Sequence, residues 1–472
     1  MAITEMRPDL VVIGAGPAGY PAAFRAADLG MAVTLVDLED NPGGVCLFRG
    51  CIPSKALLHA ARFLEEAREM RECGIDAGQP RVSLEGLRAW KGSVVRRLTG
   101  GLGQLSRARS VRWMRGRARF VSPRELEVSG DGGPVRLEFG AALLATGSRP
   151  AAIPGWPASP RVMDSTSALD LPEVPARLLV VGGGYIGLEL GTVYAALGSR
   201  VTVVEMTPGL LPGADRDLVA PLARRLERRF EAIRLSTRVA AIRDEGTACR
   251  VALDAGGPVE EQTFDRVLVS VGRRPNTEEL GLDLAGIETD RRGFVVVDER
   301  RRTSNPAVWA AGDVAGEPML AHKATHEGWV AVEAIAGRRV AFEPRAIPAV
   351  VFTDPEIAWA GLTELEAGRL NQPVRVAKFP WTASGRALTL ERTEGVTKLV
   401  LDADSGRVLG VGLCGVGAGE MIAEGALAIE MGAHAADLAM TIHPHPTLSE
   451  TLMEAAEAAL GHAIHFRPAR PS

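Results

Sequence analysis

The sequence predicts an α/β fold in about three domains, two of which repeat one strand-turn-helix-strand design. Three observations support this prediction. The chain has 472 residues, about three times the length of a typical domain. Its residues are 46% hydrophobic and 24% charged, the balance of an ordinary globular protein with a buried core. Two widely separated segments carry the same pattern of glycines between apolar runs, which is typical of a strand followed by a tight turn and a helix.

The first of these segments is DLVVIGAGPAGYPAAFRAADLGMAVTLVD. An apolar run leads to Gly14, Gly16 and Gly19, and a second apolar run ends at Asp37. In such a Rossmann-like unit the first glycine permits a tight turn, the second lets the backbone approach a pyrophosphate, and the third lets helix and strand pack closely. The pyrophosphate is favoured at the helix N-terminus by unpaired N–H groups. Asp37 is placed to accept hydrogen bonds from a ribose diol.

The second segment, RLLVVGGGYIGLELGTVYAALGSRVTVVE, repeats this design with Gly182, Gly184, Gly187 and Glu205. One such match is weak evidence, but two copies that each end on a carboxylate are strong evidence for two dinucleotide sites. A solvated acid at the end of a strand is the alternative for each carboxylate. Because a carboxylate disfavours a neighbouring 2′-phosphate, Glu205 predicts NAD(H) rather than NADP(H).

Two of the five cysteines form a close pair in the segment GGVCLFRGCIPSKALL, a few residues after the first glycine unit. A zinc site is the alternative, but the spacing of Cys46 and Cys51 is not typical of zinc pairs and we find no second pair to complete four ligands. We therefore expect no metal. Pro53 suits the first position of a helix, and a thiolate at a helix N-terminus is stabilised by the helix dipole. A redox disulfide is the favoured interpretation.

Near the other end of the chain, TIHPHPTLSE offers His443, His445 and Glu450. A thiol substrate must lose its proton before it attacks a disulfide, so a histidine oriented by a carboxylate is suited to act as the base. Thr447 and Glu450 also fit a capping box at the start of the next helix. From the residues alone, both interpretations stay open.

The cysteine segment resembles the active-site segment of the FAD-dependent pyridine nucleotide-disulfide oxidoreductases. The resemblance covers the chain essentially end to end. At two positions the chain departs from the family, since Val45 and Phe48 stand where Thr and Asn are common, and neither change removes a reacting group. Further segments similar to those of the family, in the family's order, are LLATGSRP (143–150), VSVGRRPNT (269–277), VWAAGDVAGEPMLAHKATHEG (308–328), VVFTDPEIAWAGLTE (350–364) and HPHPTLSE (443–450).

The resemblance implies a redox-active disulfide in which Cys46 is exposed to substrate and Cys51 lies against the flavin. It implies that His445 is the base, that Glu450 orients its imidazole, and that this histidine reaches the disulfide from the partner subunit of a homodimer. The implied reaction is ping-pong: a dihydrolipoyl dithiol is oxidised, and the electrons pass through the disulfide and FAD to NAD+.

Lys55 and Glu189 are implied to pair near the flavin. Arginine fills 49 of the 54 basic positions, so a lysine behind the disulfide indicates a need for a compact ammonium; an ordinary solvated lysine is the alternative. The expected FAD-binding residues are Gly14, Gly16, Gly19, Asp37, Gly44, Lys55, Thr146, Gly147, Asp313, Met319 and Ala321. The expected NAD-binding residues are Gly182, Gly184, Gly187, Glu205 and Gly272.

The expected architecture is α/β, with two Rossmann-like dinucleotide-binding domains plus a C-terminal α+β dimerisation domain. We expect an FAD domain from residues 1–150 and 277–345, an NAD domain at 151–276, and an interface domain at 346–472. The expected partners are a second copy of the chain and the lipoyl domain of a dihydrolipoyl acyltransferase or of a glycine cleavage carrier protein.

Charge and hydropathy argue against a nucleic-acid-binding protein, a membrane protein and a secreted protein. A net charge of −4 gives no general attraction to nucleic acid or to anionic membranes. No run approaches the ~18 apolar residues of a membrane span, and the N-terminal segment lacks the basic region of a secretion signal. We therefore expect a cytoplasmic protein that binds neither nucleic acid nor membrane.

Three competing functions remain. Glutathione-type reductases share the fold but usually prefer NADPH, which Glu205 and the CIPSK segment argue against. Mercuric reductases typically have Tyr where His445 stands and a C-terminal cysteine pair, which this chain lacks. A non-catalytic scaffold in an acyltransferase complex would purify without flavin colour, and the intact cysteine pair argues against it.

Overall fold

The computed structural model describes residues 4–78, 80–130 and 133–467. It confirms the predicted fold class: two parallel five-stranded sheets are flanked by helices, and a C-terminal antiparallel sheet is covered by helices. Within the described ranges, no helix combines the length and the hydropathy that crossing a membrane requires.

The first part of the chain starts the first parallel sheet, whose central strand is buried on both faces, as strands of parallel sheets are. A smaller sheet in the order β1-β7-β6-β5 lies beside it. The strands are β1 (Thr4–Met6), β2 (Leu10–Ile13), β3 (Val33–Asp37), β4 (Arg112–Arg115), β5 (Arg117–Ser122), β6 (Glu125–Ser129), β7 (Val135–Glu138), β8 (Ala141–Leu144) and β9 (Ser148–Pro150). The helices are α1 (Gly19–Asp28), α2 (Gly44–Arg49), α3 (Cys51–Glu69) and α4 (Leu84–Ala108), and a 3-10 helix spans Met70–Cys73.

The middle of the chain repeats the design in a second parallel sheet, ordered β10-β17-β11-β12-β13, beside an antiparallel sheet ordered β14-β15-β16. Its strands are β10 (Val162–Met163), β11 (Arg177–Val181), β12 (Arg200–Val204), β13 (Ala232–Arg234), β14 (Arg238–Asp244), β15 (Cys249–Asp254), β16 (Glu260–Phe264), β17 (Arg266–Val269) and β18 (Arg273–Pro275). Its helices are α5 (Ser165–Leu169), α6 (Tyr185–Leu197) and α7 (Arg216–Arg229).

The chain then returns to the first parallel sheet. β19 (Val308–Ala310) pairs with β8 and completes the order β19-β8-β2-β3-β4, and α8 (Ala321–Ile335) follows a 3-10 helix at Gly312–Ala315. The antiparallel pair of β9 and β18 lies where the chain leaves the first unit and where it comes back. This position is close to the expected limits of the NAD domain; the domain boundaries themselves stay a prediction.

The C-terminal part is an antiparallel sheet ordered β20-β21-β24-β23-β22, with α11 and α13 packed on it. Its strands are β20 (Ala349–Val351), β21 (Glu356–Gly361), β22 (Val374–Pro380), β23 (Val396–Asp402) and β24 (Val408–Gly415). Its helices are α9 (Glu364–Leu370), α10 (Gly385–Thr389), α11 (Ala418–Glu430), α12 (Ala435–Met440) and α13 (Glu450–Ala459), with a 3-10 helix at Trp381–Ala383.

One local expectation needs correction. The sequence places Pro53 at the first position of its helix, but α3 begins two residues earlier, at Cys51. Proline is tolerated throughout the first turn, since the N–H groups there have no partner within the helix. Cys51 is therefore itself the first residue of the helix, where the positive end of the helix dipole favours a thiolate.

Candidate active site

A cavity of about 890 Å³ lies between the first parallel sheet and α6. This volume is in the range of about 300–1,000 Å³ that small-molecule and cofactor sites occupy. All but one of the predicted FAD-binding residues line it. The exception is Gly19, where an added Cβ would lie 1.8 Å from the carbonyl oxygen of Gly14 and would separate helix from loop. The predicted residues on the cavity wall are Gly14, Gly16, Asp37, Gly44, Lys55, Thr146, Gly147, Asp313, Met319 and Ala321.

The glycine loop of this cavity fits a dinucleotide. Gly14 has a φ of +97°, and an added Cβ would lie 2.3 Å from the carbonyl oxygen of Ala145. At Gly44 an added Cβ would lie 2.4 Å from the Cα of Gly16. Bare backbone therefore faces the cavity at the start of α1, where a pyrophosphate is stabilised. Asp37 accepts the amide of Ala15 at 2.6 Å, so its carboxylate is fixed at the rim where a ribose would bind.

Asp313 lies on the opposite wall of the cavity, on a segment that hydrogen bonds fix in place. The hydroxyl of Ser148 donates to its carboxylate. The neighbouring amide of Gly312 donates to the fully buried Glu327 at 2.7 Å, and Lys323 pairs with that carboxylate at 3.0 Å. This support fits the predicted role of Asp313 in binding FAD.

Cys46 and Cys51 also line the cavity, in its wall between α2 and α3. Their side chains lie close enough together for a hydrogen bond between the two sulfurs. That hydrogen bond lowers the pKa of Cys51 to about 7, against the opposing effect of burial, and the ammonium of Lys55 lowers it further. The same hydrogen bond and burial raise the pKa of Cys46. In the reduced pair, these opposite shifts favour the thiolate on Cys51 and the thiol on Cys46.

Lys55 lies one turn after Cys51, where three parts of the fold meet. Its ammonium pairs with Glu189 of α6 at 2.9 Å and stands 4.4 Å from the ring centre of Phe352. Glu189 is almost completely buried, and its second oxygen accepts the amide of Phe352 at 3.0 Å. The structure therefore brings the predicted pair together beside the cysteines.

The second glycine unit approaches the same cavity, because Tyr185 and Ile186 at the start of α6 line it. An added Cβ at Gly182 would lie 2.5 Å from the carbonyl oxygen of Ser270, so this loop also has no room for a side chain. Gly184 and Gly187 flank the start of α6, and Gly272 has a φ of +118°. The second glycine unit therefore lies next to the first cavity.

Glu205 directly follows β12 within this second unit. It is buried, and its two oxygens accept the amides of Gly183 and Thr207, each at 2.7 Å. The carboxylate is thus fixed beside the glycine loop, at the place predicted for a ribose acceptor.

His445 and Glu450 contact each other as predicted, with 2.9 Å between imidazole Nδ1 and the carboxylate. Burial alone would raise the pKa of Glu450, but the amide of Thr447 and the His445 ring outweigh it, so that the pKa lies below its usual value. Only half of the expected capping box forms. Glu450 accepts the Thr447 amide at 2.7 Å, whereas the Thr447 hydroxyl donates to the carbonyl of Pro444.

The structure does not bring His445 to the cysteines of its own chain. Its side chain is 79% exposed, and it is not among the described residues that line the cavity. An exposed base next to a fixed carboxylate is suited to serve a site on a second molecule.

Sequence reasoning missed three residues of the site. Phe352 lies within a matched segment, but nothing in its spacing indicates that its ring would face Lys55. Tyr185 follows the second glycine loop and reaches the first cavity. Arg49 pairs with Glu39 on the cavity wall. Each of these contacts depends on residues distant in sequence or on how two loops fold together, which a local pattern does not reveal.

Comparison with known proteins gives the same family over nearly the whole chain. The family model described as pyridine nucleotide-disulphide oxidoreductase matches residues 8–328, and the model of the dimerisation domain of these proteins matches residues 347–456. A dihydrolipoyl dehydrogenase of Vibrio cholerae is 46% identical over 455 residues, which cover 96% of each chain. A dihydrolipoyl dehydrogenase of Thermus scotoductus is 49% identical over 463 residues, 97% of this chain and 98% of the relative.

Solved structures show the same fold. LpdA from Mycobacterium tuberculosis superimposes with a TM-score of 0.88 at 27% identity, covering 97% of this chain and 99% of that one. The HOCl-induced flavoprotein disulfide reductase RclA from Escherichia coli gives a TM-score of 0.85 at 28% identity, covering 95% of this chain and 99% of that one.

Proposed function

The chain belongs to the pyridine nucleotide-disulphide oxidoreductase family, and we propose that it oxidises dihydrolipoyl groups with NAD+, as a dihydrolipoyl dehydrogenase. The family predicted from the sequence is thereby confirmed, and so are the predicted cofactors, FAD and NAD+. Relatives of this activity are 40–49% identical over nearly the full chain.

The observation that carries the proposal is the position of the cysteine pair, in the wall of the dinucleotide cavity beside the Lys55–Glu189 ion pair. In the reduced pair, the pKa of Cys51 is lowered to about 7 and that of Cys46 is raised, so Cys51 loses its proton first. A thiolate is the electron-donating form of cysteine, and Cys51 stands at the wall of the dinucleotide cavity beside the Lys55 ammonium. Cys46 is then the sulfur that exchanges with substrate.

The reductive half of the reaction starts at His445 of the partner subunit, which takes the proton of one substrate thiol. The resulting thiolate attacks Cys46, breaks the Cys46–Cys51 bond and releases Cys51 as a thiolate. The second substrate sulfur then closes the oxidised lipoyl ring and returns Cys46 as a thiol. Two electrons have then moved from the substrate to the cysteine pair.

FAD, when bound, supplies the two-electron chemistry between the Cys51 thiolate and NAD+. Lys55 and Glu189 hold a fixed ion pair next to that thiolate, and we assign them the role of setting the local charge. Asp37, Asp313 and the glycine loop are the residues that would hold the cofactor. Glu205 would hold the ribose of NAD+.

The dimerisation-domain match supports a homodimer, which would supply the exposed His445 to a second cavity. We assign as protein partners the lipoyl domain of a dihydrolipoyl acyltransferase in a 2-oxoacid dehydrogenase complex, or a glycine cleavage carrier protein. The cytoplasm is the compartment we assign, since reducing surroundings keep such a pair available for catalysis.

The proposal is tested by replacing the exchange cysteine. Cys46→Ser should abolish turnover of dihydrolipoamide while slow oxidation of NADH by dyes continues, because the second process does not need the disulfide. Dihydrolipoamide turnover that survives in Cys46→Ser would refute the assignment.

A further inference from the structure

Lys398 of β23 is the most completely buried lysine of the described chain, with 1% of its side chain exposed. Its ammonium lies 2.7 Å from Asp215, 3.0 Å from Asp217 and 2.6 Å from Glu364. Asp215 precedes α7 and Asp217 lies in its first turn, whereas Glu364 opens α9. One ammonium therefore joins the NAD-binding unit to the C-terminal sheet.

The three carboxylates lie close enough together to resemble a cation site, and the ammonium of Lys398 is the cation placed among them. Burial alone would lower the pKa of Lys398, but these partners outweigh it and raise that pKa. Lys378 adds a second, half-exposed ammonium 2.7 Å from Asp217. Asp215 also accepts the amide of Glu364 at 3.0 Å, so the contact has backbone as well as side-chain bonds.

A second contact seats the same helix on the same sheet. Leu218 of α7 lies over Gly412 of β24, and an added Cβ at Gly412 would come 2.6 Å from a methyl carbon of Leu218. Helix and strand therefore approach as closely as a glycine permits. Two contacts therefore fix the position of α7: the ion pairs of Lys398, and the close packing of Leu218 on Gly412.

Hydrogen bonds connect this anchor to the NAD loop. Arg216, next to Asp215, donates to the carbonyls of Leu210 and Leu211. Leu211 in turn donates its amide to the carbonyl of Gly183 at 3.0 Å, inside the second glycine loop. The amide of Gly183 is the group that holds Glu205. Few bonds therefore separate the anchored start of α7 from the residues predicted to bind NAD+.

We propose that Lys398 is a positioning residue for the NAD+ half of the reaction: by tying the start of α7 to the C-terminal sheet, it sets where the second glycine loop presents NAD+ to the flavin. The inference rests on the proposed function, because it divides that reaction into two halves. A misplacement of about 1 Å from a distant change can slow a reaction by about a hundredfold, so a loosened anchor is sufficient to affect hydride transfer.

The test measures the two half-reactions of the flavin-loaded dimer separately by stopped flow. In Lys398→Met, reduction of the bound flavin by NADH should slow by about tenfold or more, through weaker binding and poorer alignment. Reduction of the flavin by dihydrolipoamide should stay within about twofold of wild type, because α7 contacts α3 through Arg225 and Arg229 at its far end, which pair with Glu69 at the opposite end of α3 from Cys51. The matched control is Arg238→Met, which removes an exposed cation paired with Asp254 on β15 of the same unit.

A second variant covers the case in which the unpaired carboxylates prevent Lys398→Met from folding. Gly412→Ala pushes against Leu218 without changing any charge, and it should slow the NADH half-reaction selectively as well. The positioning role would be overturned if either variant slowed both half-reactions equally. It would also be overturned if neither variant slowed the reduction of the flavin by NADH. If NADH reduces the flavin of the wild-type protein and dihydrolipoamide does not, the proposed function is refuted instead. The NADH reduction rates of the variants and of wild type can still be compared in that case.

Discussion

At the scale of single residues, the five lysines have one feature in common. Each bonds to a group on another element of the fold: Lys55 to Glu189, Lys91 to the carbonyl of Leu169, Lys323 to the carbonyl of Gly316, Lys378 to Asp217, and Lys398 to Asp215, Asp217 and Glu364. Arginine occupies 49 of the 54 basic positions. A compact ammonium fits narrow junctions that a planar guanidinium does not. The reasoning applied to Lys55 thus extends to the two buried lysines, Lys323 and Lys398.

The ion pair of Lys55 and Glu189 should influence the pH at which the Cys51 thiolate forms. In protein reduced by two electrons, the long-wavelength thiolate-to-flavin absorbance should grow as pH rises through about 7, the pKa of Cys51. Lys55→Met removes a positive charge that favours the thiolate, so the midpoint should rise by about one pH unit. Glu189→Gln removes a negative charge that opposes it, so the midpoint should fall. Midpoints that stay the same, or that move in one direction in both variants, would contradict this account.

Glu205 should determine the preference for NAD+ over NADP+. A carboxylate beside the 2′-phosphate of NADP+ is unfavourable, so wild type should prefer NAD+ in kcat/KM by about a hundredfold or more. Glu205→Gln keeps the shape of the side chain and removes its charge, and the preference should shrink to about tenfold. Steady-state kinetics with both cofactors give the ratio. Comparable values for the two cofactors in wild type would show that Glu205 does not face the ribose.

At the scale of elements, the sequence predicted what depends on local spacing. Both glycine units form the predicted strand, turn and helix, because bare backbone at Gly14 and Gly182 is required by the carbonyls they approach. The start of α3 was misplaced by two residues, since proline fits anywhere in a first turn. The Lys398 anchor was not predicted, because its partner Asp215 lies 183 residues away and no local pattern encodes that distance.

The start of α13 carries a prediction about the base. Glu450→Gln should lower kcat/KM for dihydrolipoamide by about a hundredfold, because a positioned base contributes about 10²–10⁴. NADH oxidation by dyes serves as the control and should persist. A loss of both activities would indicate a structural role for Glu450 alone.

At the scale of the whole molecule, one chain does not complete the site. Cys46 and Cys51 lie in a cavity between two nucleotide-binding units, whereas His445 is exposed on the C-terminal part of the described chain. We propose that a symmetric dimer completes the site, with each interface placing the base of one subunit at the disulfide of the other. The dimer is thus the smallest unit in which we expect thiol oxidation.

Mixed dimers test this arrangement. Subunits with Cys46→Ser and with His445→Gln should each form homodimers inactive toward dihydrolipoamide. A heterodimer of the two should regain about half of the wild-type activity, because one of its two sites combines an intact disulfide with an intact base from the other subunit. Tandem affinity tags isolate the heterodimer for assay. A base that acted within its own subunit would leave the heterodimer inactive.

The central claim, that a dihydrolipoyl dithiol delivers its electrons to flavin through Cys46 and Cys51, is tested most directly by anaerobic titration of the purified protein with dihydrolipoamide in a spectrophotometer. We predict a yellow flavin spectrum that develops a long-wavelength thiolate-to-flavin band at two electrons, and that this band is lost in Cys51→Ser. A bound flavin that NADH reduces but dihydrolipoamide leaves unchanged would contradict the claim, and would direct the search to another disulfide substrate.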